Sequence, residues 1–425
     1  MQATNLQTNH LTSPLGVDGG PLFLSWQCSG GLRQTAFEIH LTADDAIIWE
    51  SGKVQSHSMH ADAPAVEGAR VRGSWKVRLW DETDCPGPWS EARFETGLST
   101  GDWQGLWVDP ETAPLDIPGD DAINAFARPN WERKQAEKEA AGKGKAEPYQ
   151  PHRPASYLRK TFTSPSGRGR LYITTKGLYV AWLNGMRVGD MVLAPGSFTA
   201  DKHLGSQTYD VTSLLREGEN ELLLALGDGW YRSTSGVDGD RNLFGDTLGV
   251  LFQLEVNGKV VCVSDDTMQA TQQGSIRQND LQQGEVYDAR LEGPLSGWHE
   301  VRTYRDALPV TGMNTVPIRE QEAFPGRLFT APNGETVLDF GQNIAGYVEM
   351  TLTAHAGQKV LLTCGETLDE HGNFTQENFQ DRGRHKEGGT AQMLELVCKE
   401  GVNHWKPSFT IMGFQYAKVE TDADL

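Results

Sequence analysis

The stretch Val337-Leu338-Asp339-Phe340-Gly341-Gln342-Asn343-Ile344-Ala345-Gly346-Tyr347-Val348 decides the fold. Val337 to Phe340 reads as a strand, Gly341-Gln342-Asn343 as a turn, and a second strand starts at Tyr347. In that second strand Val348, Met350 and Leu352 alternate with Glu349, Thr351 and Thr353. A period of two is the mark of a strand with one buried face.

Moving outward, short alternating runs recur with turn signals between them, and the 47 glycines suit such punctuation. Trp75, Val77 and Leu79 alternate with Lys76 and Arg78, and Phe37, Ile39 and Leu41 share one face of another strand. Asn184-Gly185 and Asn257-Gly258 each sit between strand patterns, where two left-handed residues make a tight hairpin. Long amphipathic helical repeats are missing, and no fixed internal period points to a solenoid or propeller. The expected class is all-β, with three consecutive β-sandwich domains and a helical or disordered insertion. Residues 1–109 form a fibronectin III-like sandwich, 110–154 the insertion, 155–322 a jelly-roll-like sandwich and 323–425 a third sandwich. Within the insertion, Trp131 to Ala141 reads as a charged helix preceded by Pro129, either solvated or mobile, with a lid or dimer contact as the alternative.

Composition narrows function. The formal net charge of -19 opposes a nucleic-acid partner or an anionic membrane. No apolar run approaches the ~20 residues of a membrane span, and Met1 to Asn9 lacks the pattern of a secretory signal. Five scattered cysteines, never spaced as CxxC, argue against a disulfide framework or zinc site. They fit buried small hydrophobes in a reduced, cytoplasmic setting.

Several spaced blocks carry a family resemblance. They are Trp89-Ser90-Glu91, Leu183-Asn184-Gly185-Met186-Arg187-Val188-Gly189-Asp190, Gly227-Asp228-Gly229-Trp230-Tyr231-Arg232, Gly284-Glu285-Val286-Tyr287-Asp288, Trp405-Lys406-Pro407-Ser408-Phe409 and the opening stretch. In this order they resemble the N-terminal β-domains of bacterial α-L-rhamnosidases, glycoside hydrolase family 78, from about residue 12 to 420. Members of that family cleave terminal α-L-rhamnosides with inversion, which takes one carboxylic acid and one carboxylate base. The resemblance places both in a downstream (α/α)6 barrel. It therefore implies no catalytic residue in this chain, which is expected to be inactive alone. The partners it implies are that barrel and rhamnose-containing glycosides. Two other readings stay open: a free-standing rhamnose-binding protein, and a structural module that pairs as a homodimer.

A sugar site needs an aromatic face and planar polar side chains on loops. The window Gly227 to Asp246 is richest in both. Trp230 and Tyr231 offer rings, and Asp228 and Asn242 offer hydrogen-bonding groups. The alternative is a buried tryptophan with turn carboxylates that cap the backbone. Asp238, Asp240, Asn242 and Asp246 also raise calcium, although Leu243 and Gly249 stand where an EF-hand needs Gly and Glu. Some rhamnose-binding modules of the family hold the sugar through calcium with an Asp-Asn pair. The nearest match is Asp201, but Lys202 follows it, and an ammonium opposes a cation. No metal site and no required cofactor is assigned.

Overall fold

A computed structural model describes residues 1–113, 121–146, 148–149, 151–235, 241–313, 315–379 and 390–424. The first sandwich packs a sheet of Gln2–Thr8, Leu22–Ser29 and His60–Ala63 against one of Ala46–Glu50, Ala36–Ala43, Arg72–Trp80 and Ser90–Glu95. The expected alternation holds: Trp75, Val77 and Leu79 are fully buried with Ile39 and Leu41. The Trp75 indole N–H donates to the Thr8 hydroxyl at 2.9 Å, so the buried ring keeps no unpaired donor. On the outer face Arg78 lies between the Trp80 and Trp89 rings, 5.0 and 4.8 Å from their centroids.

The middle sandwich has two larger sheets. One runs Met186–Arg187, Leu178–Leu183, Gly218–Gly227, Ser156–Ser164, Gln269–Thr271, His299–Glu300. The other runs Arg302–Tyr304, Trp107–Asp109, Gly249–Val256, Gly169–Lys176, Leu204–Asp210, Val310–Gly312. Their inner faces bury leucine, isoleucine, valine and phenylalanine in one core. Both expected hairpin turns are present, with positive φ at Asn184 and Gly185 and at Asn257 and Gly258.

The third sheet is ordered Ile276–Asp280, Gly284–Asp288, Met393–Val397, Lys359–Gly365, Met412–Thr421, Thr336–Gly346, Arg327–Thr330. The opening stretch is not the expected strand–turn–strand. Thr336–Gly346 is one strand whose pairing slips between Asp339↔Tyr416 and Ile344↔Phe414, so Gly341-Gln342-Asn343 bulges out. Gly341 adopts φ +81°, a conformation that suits glycine at such a bulge. The next strand begins at Met350 rather than Tyr347.

Pairing crosses the divisions drawn from sequence. Trp107–Asp109 precedes residue 110 yet hydrogen-bonds within the middle sandwich. The hairpin of residues 276–288 precedes residue 323 yet joins the third sheet, parallel to Met393–Val397. Ion pairs add to the interlock: Arg70 reaches Glu255 at 2.8 Å, and Arg170 forks onto Glu95 with two contacts of 2.8 Å.

The insertion helix runs from Ala122 to Ala140, so it begins before Pro129 and contains it. Its start is set by Asp121, whose carboxylate accepts from the Asn124 N–H at 2.8 Å. The first turn docks on the third sheet, with Ile123 fully buried and the Ala122 N–H on Glu395 Oε2 at 3.0 Å. Its exposed end is solvated, but its beginning is part of the packed molecule. Cys262, Cys364 and Cys398 are buried as expected, whereas Cys28 and Cys85 are exposed. Among the described residues no helix is long and apolar enough to cross a membrane.

Candidate functional site

The window singled out in the sequence divides in two. Strand Gly218–Gly227 ends at Asp228, and a single helical turn, Gly229–Arg232, follows. Gly229 has φ +54°, and a Cβ there would lie 2.4 Å from Leu178, so the turn needs glycine. The turn drives Asp228 inward. Asp228 is completely buried and accepts from Arg232 Nε at 2.7 Å. Arg232 also forks onto Glu111 with two contacts of 2.8 Å, and Arg153 adds a third at 2.8 Å. Burial pushes the Glu111 carboxyl up, but Arg232 and Arg153 more than offset this and hold it below the usual range. For Asp228 burial wins and its carboxyl is raised. A sugar hydroxyl has no path to Asp228, so its expected role as a contact is corrected. It is an anchor in a buried charge cluster, and it does not cap the turn as the alternative reading expected, since its side chain makes no capping hydrogen bond. Trp230 is half-buried against the core that includes Leu178, Leu193 and Phe409.

Tyr231 points the other way. It joins Trp103, Phe198, Phe244 and Tyr304 around buried Trp107, Leu204 and Leu251, on the outer side of the sheet that contains Gly249–Val256. The Tyr231 and Phe244 rings are 6.4 Å apart. The cavity between Trp230, Tyr231, Phe244 and Phe198 is only ≈ 10 Å³, room for one water. A neighbouring hollow of ≈ 160 Å³ is walled by Trp103, Trp107, Tyr304, Arg305, Asp306 and Leu308. There Trp107 and Tyr304 stack at 6.4 Å, and Lys176 Nζ sits 5.1 and 4.9 Å from their centroids. Asp306 fixes Lys176 at 2.5 Å, and that hydrogen bond holds the Asp306 carboxyl below its ordinary value. The Trp103 indole N–H is shielded from solvent without a partner. This arrangement brings aromatic faces and polar side chains to one hollow.

Asn242 lies on the rim of this window, exposed with φ +60°, its N–H on the Arg232 carbonyl at 3.2 Å. Asp201 is exposed and pairs with Lys202 at 3.2 Å. Its carboxylate is therefore engaged by a cation of the chain itself, and Asp201 with Lys202 does not fit a calcium ion. Asp238 and Asp240 lie outside the described residues. Among the described residues no three His, Cys, Asp or Glu side chains gather as metal ligands.

The opening stretch builds a second feature. Residues 318–326 and 340–349 enclose an open groove of ≈ 870 Å³, with Ile318, Phe324, Phe340, Ile344, Tyr347 and Ile411 as apolar lining. Gln342 and Asn343, presented by the bulge, put exposed amides on its rim. Glu320 is held by Lys406 at 2.8 Å and by the Tyr347 hydroxyl. The hydrogen bond from Lys406, followed by that from Tyr347, keeps its carboxyl below the ordinary range, so it stays ionised near neutrality. Glu349, also at the groove, pairs with His404 at 3.2 Å. A clamped, ionised Glu320 is poorly suited to donate a proton to a leaving oxygen.

Sequence reasoning thus reached Tyr231 but missed the groove and Trp103, Trp107, Lys176, Tyr304 and Asp306. The sheet order brings the last four together, and no local motif marks them. The pair Trp103 and Trp107, one strand entry after the first sandwich, is the single local hint.

Three family models match in succession: a Rha78A-like N-terminal immunoglobulin domain over residues 3–100, an α-L-rhamnosidase N-terminal domain over 166–327, and a bacterial α-L-rhamnosidase concanavalin-like domain over 329–424. An α-L-rhamnosidase of Formosa agariphila is 28% identical over 97% of this chain and 45% of its own length. One of Streptomyces avermitilis is 34% identical over 62% of this chain and 27% of its own. The chain thus spans less than half the length of these curated relatives. Among solved structures, native α-L-rhamnosidase from Aspergillus terreus superposes with TM-score 0.78 at 26% identity, covering 99% of this chain and 47% of that one. The Streptomyces avermitilis α-L-rhamnosidase complexed with L-rhamnose gives 0.79 at 24%, covering 98% and 56%, which speaks to the fold. Tiled in order by these models, the chain belongs to the α-L-rhamnosidases of glycoside hydrolase family 78, as their N-terminal β-domains.

Proposed function

We propose that these residues are the non-catalytic platform of an inverting α-L-rhamnosidase, holding a helical catalytic barrel of a longer polypeptide and rimming its pocket. The observation that carries this reading is the groove of ≈ 870 Å³ on the third domain. It combines a half-apolar wall with exposed amides and lies beside the edge strand Arg327–Thr330, whose Leu328 is 47% exposed. Apolar surface gathered beside an open edge suits a packed partner. Inverting hydrolysis needs a protonated acid facing a base across a water-sized gap. Of the groove's carboxylates, Glu320 is instead bound to Lys406 and Tyr347, and Glu349 to His404. Purified chain 1–425 should leave an aryl α-L-rhamnoside uncleaved, while the same residues joined to their barrel cleave it. Turnover by 1–425 alone overturns the proposal.

A second reading, a rhamnose-binding protein in its own right, is favoured by the aromatic hollow around Trp107 and Tyr304. It requires saturable L-rhamnose binding by calorimetry that Tyr304→Ala weakens at least tenfold. Heats equal to dilution remove it.

A further inference from the structure

The first and middle sandwiches meet at a cleft of ≈ 490 Å³ that neither the groove nor the aromatic hollow explains. Its walls come from Gln7 and residues 10–15 of the first domain, from Asp190, Met191 and 207–209 of the middle domain, and from Met313, residues 315–317 and Arg319 of the connector. The first wall is held in an unusual shape. Asn9, His10 and Ser13 all have positive φ, and Asn9 is locked by two hydrogen bonds to the Phe23 backbone at 2.7 and 2.8 Å. Such backbone is costly and persists where surrounding contacts fix it. The opposite wall is equally fixed, since Gln207 binds the Tyr179 hydroxyl at 2.8 Å and the Pro195 carbonyl at 3.2 Å. The Arg70–Glu255 and Arg170–Glu95 pairs join the two domains and keep the walls apart at a set distance.

The lining decides the ligand class. Its charges cancel, because Arg319 Nε binds Asp190 Oδ2 at 2.8 Å. Besides the His10 ring, which packs on Phe23 at 4.8 Å, the polar groups are hydroxyl and amide: Gln7, Thr12, Ser13 and Thr315, beside apolar Pro14, Met191, Val316 and Pro317. Thr208 also lines the cleft, but its hydroxyl oxygen is cut off from solvent and is no contact for a ligand. Gly16 packs directly on it, for a Cβ there would lie 2.2 Å from that oxygen. Alternating hydroxyl and C–H surface with no net charge matches a molecule that is itself neutral, hydroxylated on its edges and apolar on its faces. We propose that this interdomain cleft binds a neutral saccharide, with room for about two pyranose rings, separately from the aromatic hollow.

Calorimetry with a neutral rhamnose disaccharide, and with galacturonate as the anionic probe, tests this on the whole chain. The wild type should bind the disaccharide saturably. Thr315→Trp, which fills the cleft from its exposed connector, should weaken binding tenfold or more at an unchanged melting temperature. Gln7→Ala should weaken it severalfold and serves as the second variant. The proposal is overturned by absent wild-type binding, by equal affinity for galacturonate, or by binding that survives both cleft variants. Loss on Tyr304→Ala with retention in Thr315→Trp assigns the sugar to the aromatic hollow and equally overturns it. None of these results bears on whether 1–425 cleaves rhamnosides, so the two proposals fail separately.

Discussion

Glu285 is wholly buried on strand Gly284–Asp288, where its Oε2 accepts from the N–H groups of Ser408 at 3.0 Å and Phe409 at 2.9 Å. Burial pushes its carboxyl from 4.5 up to about 7, and the two backbone donors only partly offset that. The nearby Tyr157 and Tyr287 phenols are themselves raised by burial and stay neutral across this range. A carboxyl with a raised folded pKa contributes stability that is complete below its unfolded value and is lost as pH climbs through the folded one. Between pH 4.5 and above 7 this group should therefore cost the fold roughly 3 kcal/mol. Denaturant unfolding of wild type and Glu285→Gln at several pH values checks this. The variant should gain on the wild type as pH rises from 5 to 8, and parallel curves would refute the assignment. A second side chain, Trp107, is nearly buried beneath Tyr304 and Lys176. Trp107→Ala should cost about 3–5 kcal/mol, measured as a fall in unfolding free energy. Tyr304→Ala, at the more open edge, should cost less.

At the scale of elements, what the chain announces locally is what it forms. The alternation in Arg72–Trp80 and the Asn-Gly hairpins are short-range signals, satisfied by backbone geometry and one buried face, and they appear as read. Longer-range features escaped. Gly341-Gln342-Asn343 looks like a turn because a turn and a bulge use the same residues, and only the partner strand Met412–Thr421 decides between them. The aromatic hollow was illegible because Trp107, Lys176 and Tyr304 come from three separate strands of one sheet, with Gly249–Val256 between those of Trp107 and Lys176. Asp228 misled for the opposite reason: a carboxylate beside aromatic residues reads the same whether it faces solvent or Arg232. The insertion helix shows how tertiary contact overrides a local stop. Pro129 removes one backbone hydrogen bond and crowds residue 125, yet the docked first turn carries the helix through it. Pro129→Ala should restore that bond and stabilise the helix by about 1–3 kcal/mol, seen as slower amide exchange across residues 122–140. Asp121→Ala should act oppositely, by about 1 kcal/mol. Faster exchange in the proline variant would show that Pro129 is required for docking.

On the scale of the whole molecule, the domains are sequential in name but interlaced in hydrogen bonding. The hairpin of residues 276–288 leaves the middle sandwich to become the edge of the third sheet, and Asp280 within it pairs with buried His152 of the insertion at 3.2 Å. Arg232 of the middle domain reaches Glu111, which leads into the insertion, through two contacts of 2.8 Å. A polypeptide cut at 322/323 would therefore separate Gly284–Asp288 from Met393–Val397 and strip the third sheet of two of its seven strands. Residues 323–425 alone should expose the Met393–Val397 edge and fail to give a cooperative melt, since a bare, apolar sheet edge favours association over folding. Residues 276–425 should fare better because the missing strands return, and the comparison of these two fragments by calorimetric unfolding isolates the hairpin's contribution. The charge cluster offers the same test in the intact chain. Arg232→Met leaves Glu111 and Asp228 buried without their shared partner, and such loss costs about 3–5 kcal/mol. Replacing Arg232, Glu111 and Asp228 together by apolar residues should cost less, since the only charge then left without its carboxylate is Arg153, which is partly exposed and can turn to water. Equal destabilisation by the single and triple variants would mean that packing, rather than charge, joins the domains at this point.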